Sequence, residues 1–182
     1  ELPAPASLAL YDSVIADDRA GGLTPAARLT NEIAFTGLNR ASFDFGAISG
    51  DATMEFILTG NPAAITGAGY LAVGSNPNSN LRYAQWNNTG ELGFTQLGVE
   101  DYRFSPGIAS PTQPTHVAFT WNAGTRVMKA YVNGLLAGTR TGVTDAFSMP
   151  TGAGFLGGSP ANNQFMVGTV FRVTTYHDLV SE

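Results

Sequence analysis

The 182-residue chain contains no cysteine. Disulfides, thiolate nucleophiles and cysteine-ligated zinc are therefore excluded together, although the redox compartment is left open. Charge is scarce as well. Charged residues make up 13% of the sequence, about half the usual share of roughly 25%. The formal net charge is −5, the pI is about 4.9, and the nine basic residues, eight Arg and one Lys, are scattered along the chain. Phosphate backbones and anionic lipid are bound through clustered basic patches, so nucleic acid is not an expected partner. No apolar run approaches the roughly 18 to 20 residues that cross a bilayer, so membrane insertion is not expected, and "ELPAPASLAL" lacks the basic start of a signal peptide. Residue 1 is Glu and not Met, which is expected of a segment cut from a longer or processed chain.

What is abundant is apolar residues at 43%, with 22 Gly and 10 Pro, a mixture suited to short strands and tight turns. A chain of this length buries roughly 70% of its unfolded surface, enough for one self-sufficient core. No internal repeat or linker divides it, so a single domain over 1–182 is expected. Helical spacing of apolar residues is almost missing, whereas period-two or short continuous runs recur throughout. Strands are predicted at 8–12, 32–36, 41–45, 52–58, 69–74, 80–86, 91–97, 116–121, 126–132, 135–140, 152–158 and 165–177. Residues 13–30 read as the loosest part, with room for a short helical turn. So many strands without interleaved helices predict an all-β antiparallel sandwich or barrel.

Two hairpins are legible. In "TRVMKAYVNGLLAG" (125–138), Asn133-Gly134 fits a type I′ turn, whose two central residues need positive φ. The turn predicts pairing of Val132 with Leu135, Ala130 with Ala137 and Met128 with Thr139. Met128, Ala130, Val132, Leu135 and Ala137 then form an apolar face, with Lys129, Tyr131, Leu136 and Arg140 opposite. In "LRYAQWNNTGELGFTQ" the turn is "NNTG". Pairing Trp86 with Glu91 puts Leu81, Tyr83, Leu92 and Phe94 on a core face and Arg82, Trp86, Glu91 and Thr95 on the other.

The stretch "PTHVAFTWNAGTRVMKAYVNGLLAGT" (114–139) resembles the core hairpins of laminin-G-like domains in the concanavalin A-like lectin/glucanase superfamily. "ATMEFILTG" (52–60) is similar to an early strand of that family, with Glu55 and Phe56 in the usual places, and "FLGGSPANNQFMVGTVFRVTTYHDLVSE" (155–182) to its closing strands. The resemblance runs from about residue 30 to the end. It implies a two-sheet β-sandwich of jelly-roll type, common in extracellular or cell-surface proteins as a carbohydrate- or protein-binding module. In many relatives an acid near the closing strand helps to hold a structural calcium. Here Gly168 is present, but the acidic positions are taken by Phe171 and Arg172.

Hydrolases on this fold place acids at alternate positions, as in Glu-x-Asp-x-x-Glu. None of Glu1, Glu32, Glu55, Glu91, Glu100 and Glu182 begins that pattern, and Glu100 and Asp101 would face opposite ways on a strand. No catalytic residue is therefore assigned. Neither histidine sits with a Gly-x-Ser-x-Gly elbow: His116 opens a strand where the family has a structural His, and His177 lies beside Asp178. No cofactor is required on this reading. For calcium, Asp17, Asp18 and Asn78 offer hard oxygen ligands, with turn-forming Asn as the default explanation of "SNPNSN". Asn87-Asn88-Thr89 matches a glycosylation sequon.

Sugar rings stack their C–H faces on aromatics while polar neighbours bond the hydroxyls. Trp86 with Arg82 and Glu91 fits that description, and Tyr131 with Lys129 and Arg140 forms a second candidate, set against the plainer role of Trp86 as a core cap. The expectation is a non-catalytic carbohydrate-binding, lectin-like module of a larger secreted or surface protein. The alternatives are a protein-interaction, adhesion or structural domain that meets a surface protein or its own copy, and a glycan-cleaving enzyme.

Overall fold

The computed structural model describes residues 27–29, 32–61, 64, 68–74, 82–86, 89–96, 100–105, 110–143, 152–158 and 164–179, with 27–29, 68, 82–86 and 96 described by their backbone alone. Among the described residues there are thirteen strands: β1 (Ala27–Leu29), β2 (Ile33–Thr36), β3 (Ala41–Asp44), β4 (Ala52–Leu58), β5 (Ala68–Gly74), β6 (Arg82–Trp86), β7 (Leu92–Gln96), β8 (Glu100–Phe104), β9 (Thr115–Asn122), β10 (Val127–Val132), β11 (Leu135–Arg140), β12 (Ala153–Leu156) and β13 (Val167–Tyr176). Seven of them form one sheet, β1-β13-β4-β9-β10-β11 with β2 also on β13, and six form the other, β3-β12-β5-β6-β7-β8. Every ladder is antiparallel. The expected two-sheet sandwich is what the chain forms.

Alternation along the strands builds the core. Met54, Phe56 and Leu58 on β4, Val117, Phe119 and Trp121 on β9, and Met128, Ala130 and Val132 on β10 face Leu92, Phe94 and Phe104 of the opposite sheet, all buried. Phe119 sits at the centre, with its ring 6.5 Å from both Phe56 and Phe104. The larger sheet is unusual in being buried on its outer side too. All seven residues of β4 are buried, and Thr53, Glu55, Ile57, Ala118, Arg172 and Thr174 are covered on the face away from the core. The burial is confined to the part around β4 and β13, while Lys129 and Tyr131 on β10 are half-buried and Thr139 on β11 is exposed.

Nine of the predicted strands, from 32–36 to 135–140, correspond to observed ones with ends shifted by at most two residues, and the last two, 152–158 and 165–177, are observed as the shorter β12 and β13. The prediction at 8–12 lies outside the described residues. Two strands went unpredicted: β8, and β1, which forms inside the stretch read as loosest.

The Asn133-Gly134 turn has the positive φ values required, 52° and 77°, and Val132 pairs with Leu135 as expected. Beyond that the predicted register is corrected. A bulge makes Tyr131 pair with Leu136 and Ala130 with Gly138, so Met128 meets Arg140 and not Thr139. Ala137 is the extra residue. The bulge moves Arg140 to the side of Met128, away from Lys129 and Tyr131. Leu135 is not a core residue either: it is 74% exposed at the hairpin tip, and Leu136 is 55% exposed.

Candidate functional site: the outer face of the six-stranded sheet

The second predicted hairpin has the register read from the sequence. Tyr83 pairs with Phe94, Ala84 with Gly93 and Gln85 with Leu92, and one further step along the same ladder sets Trp86 opposite Glu91. On β8, Phe104 pairs with Leu92, Arg103 with Gly93, Tyr102 with Phe94 and Asp101 with Thr95. Leu92, Phe94 and Phe104 are buried in the core, with Tyr102 stacked on Phe94 at 4.7 Å. Side chains alternate along a strand, so Glu91, Thr95, Asp101 and Arg103 stand on the outer face.

There the described side chains form two polar pairs. Arg103 Nη1 lies 3.8 Å from Glu91 Oε2, the two side chains being 45% and 27% exposed. An ion pair this open is worth well under about 1 kcal/mol, so its groups can be redirected to a ligand at little cost. Thr95 Oγ1 donates to Asp101 Oδ1 at 2.7 Å. Between them lies Gly93. A Cβ there would collide with the backbone carbonyl oxygen of Tyr102, so only glycine permits β8 to pair this closely. At the far edge of this face the Arg40 guanidinium lies 5.1 Å above the Phe155 ring, and Phe155 pairs across strands with Ser42 and Val73.

Of the residues singled out from the sequence, Glu91 stands on this face. Arg82 and Trp86 are on β6, and the structure describes their backbone only. Tyr131 and Lys129 are half-buried on the other sheet, so the two candidate patches lie on opposite sides of the sandwich and cannot share one ligand. Arg140 joins neither patch. Its Nη2 donates to the carbonyl oxygen of Arg103 at 3.0 Å and its guanidinium caps the Phe104 ring at 5.1 Å. Arg103 and Asp101 were not foreseen. The signal was present in "EDYRF", where two aromatics alternate with charged residues.

His116 is tied into the scaffold: its N–H donates to Asn133 Oδ1 at 3.0 Å, its carbonyl oxygen accepts from Asn133 N at 2.8 Å, and its Nε2 lies 3.9 Å from Glu55 Oε1. His177 and Asp178 are exposed. Among the described residues no group of three or more His, Asp or Glu could hold a metal. Asp17, Asp18 and Asn78 lie outside the described residues, as do Asn87 and Asn88 of the sequon. Where relatives of this fold carry a calcium-holding acid, Arg172 is buried with its Nε donating to Thr174 Oγ1 at 3.3 Å. A buried guanidinium repels a cation, so the residues at that position do not fit calcium.

Two antiparallel sheets with a polar, solvent-facing side describe a lectin-like sandwich. The chain belongs to the concanavalin A-like lectin/glucanases superfamily, whose laminin G profile matches residues 39–182. No curated protein matches it in sequence. Among solved structures it is similar to the CBM40 of the Ruminococcus gnavus IT-sialidase bound to α2,3-sialyllactose, with a TM-score of 0.65 and 15% identity over 87% of this chain and 95% of that one. The leech intramolecular trans-sialidase gives a TM-score of 0.65 and 16% identity over 88% of this chain but only 27% of that enzyme. A heptameric pentraxin of Limulus polyphemus gives 0.58 and 15% identity over 89% of this chain and 74% of that one. Likeness at such low identity defines the fold.

Proposed function

We propose that this chain is a non-catalytic carbohydrate-binding module that receives a glycan on the outer face of the six-stranded sheet, across β6, β7 and β8. One observation carries this reading: Arg103, Glu91, Thr95 and Asp101 set charged and hydroxyl groups side by side on the flat outer face of β7 and β8, with Arg103 and Asp101 exposed. Sugars need that combination of donors and acceptors beside a flat surface. Trp86, opposite Glu91 in register, is the stacking platform and Arg82 a further donor. The larger sheet, buried on its outer side over β4, leaves Lys129 and Tyr131 a supporting role.

Support for the glycan class comes from the CBM40 structures of similar fold, whose ligands are α2,3- and α2,6-sialyllactose. Arg103 supplies the cation that a sugar carboxylate would need, through a charge-assisted hydrogen bond. An acidic glycan is therefore the first ligand class to test. The module works without a bound metal and belongs to a larger secreted or surface protein.

The test is a glycan array probed with the purified chain in calcium and again in chelator, alongside Trp86→Ala and Arg103→Ala. Binding in both buffers, lost in either variant, is expected. A blank array in both buffers would overturn the reading. A protein-contact role is the second reading, favoured by the exposed Leu135 and Leu136 at one hairpin tip. It gains if the array is blank and those leucines mediate concentration-dependent association.

A further inference from the structure

The two sheets of a sandwich stand about 10 Å apart and are joined by side chains alone. At one end of this sandwich the free edges meet: β11 ends the larger sheet and β8 ends the smaller. Three features of β11 act across that seam on β8. Gly138 leaves room for the Phe104 ring, which comes within 2.6 Å of where a Cβ would be. Arg140 places its guanidinium over that ring, 5.1 Å from its centre. Its Nη2 then donates to the carbonyl oxygen of Arg103 at 3.0 Å. This places Arg140 on the backbone of the residue whose side chain reaches Glu91 on the outer face.

From this geometry we propose that Arg140 is a positioning residue for the glycan face: it latches β8 across the seam and so fixes where Arg103 presents its guanidinium. The proposal rests on the function proposed above. An edge strand has a ladder partner on one side only and opens more readily than a central one. The exposed, acidic start of β8, Glu100 and Asp101, has no covering element among the described residues. A charge-assisted bond to the Arg103 carbonyl closes the other end of the strand. The bulge in β11 is what delivers Arg140 to this side, since without it Thr139 would pair with Met128.

The test compares the wild-type chain with Arg140→Met, Arg140→Lys and Arg103→Ala. Two quantities are read: amide hydrogen exchange over 100–104, and affinity for α2,3-sialyllactose. Arg140→Met keeps an apolar stem over Phe104 but loses the donor. It should speed exchange in β8 selectively and weaken binding roughly tenfold, with Arg140→Lys in between and better folded should the Met variant prove unstable. Asn133→Ala, which loosens the same hairpin at its far end, should leave affinity unchanged, separating latching from general destabilisation. Unchanged β8 exchange in Arg140→Met would overturn the latch. Faster exchange with wild-type affinity would overturn its role in positioning. If the wild-type chain fails to bind, the glycan reading falls and the positioning claim with it, while the exchange data still report whether Arg140 holds β8.

Discussion

Asn133 shows how much a single residue can carry. It adopts φ of 52° in the β10–β11 turn, a left-handed conformation that Asn tolerates and most residues do not. Its amide oxygen meanwhile accepts the His116 N–H at 3.0 Å, tying the turn to the start of β9. Asn133→Ala loses both features. The expected cost is about 2 kcal/mol, roughly half from the backbone and half from the hydrogen bond. Asn133→Gly, which keeps the backbone freedom, should cost less. Denaturant unfolding of both variants checks this, and equal losses would show that the turn conformation contributes nothing.

Among elements, β8 decides most and was the hardest to read. The strands β4, β9 and β10 announce themselves because alternation or continuous apolar runs mark residues buried in the core. In "EDYRF" only Tyr102 and Phe104 turn inward, and the three charged residues between and before them mask a five-residue signal. The charges are what an edge strand carries to discourage pairing with other chains. The β11 bulge was invisible for a different reason: turn type fixes register only next to the turn, and the slip at Ala137 depends on Phe104, a residue from the other sheet, needing space at Gly138. Half of the candidate site was thus legible, Glu91 and Thr95 from the β6–β7 register, and the other half waited on a strand defined by tertiary pairing. Gly93 ties these elements together. Gly93→Ala should destabilise by about 1 to 3 kcal/mol, since the added methyl meets backbone and not a yielding side chain. Unfolding midpoints test this, and a neutral substitution would mean that β7 and β8 are less closely fitted than the structure shows.

On the scale of the whole molecule, the two sheets divide the labour. The seven-stranded sheet is buried on both sides at β4 and gives the fold its rigidity, with Glu55, His116 and Arg172 absorbed into packing. The six-stranded sheet carries exposed charged groups on its outer side, and with a net charge of −5 the chain would meet the proposed acidic ligand through local cations such as Arg103 and not through its overall field. Sequence similarity to the laminin G profile and structural similarity to sialidase-associated modules both concern this common scaffold. The choice of face is the central claim. The measurement that tests it most directly is an amide NMR titration of the isotope-labelled chain with α2,3-sialyllactose. The account predicts saturable shifts confined to 82–86, 91–95 and 101–103. Shifts gathered instead around Lys129, Tyr131 and the Leu135–Leu136 tip would contradict it.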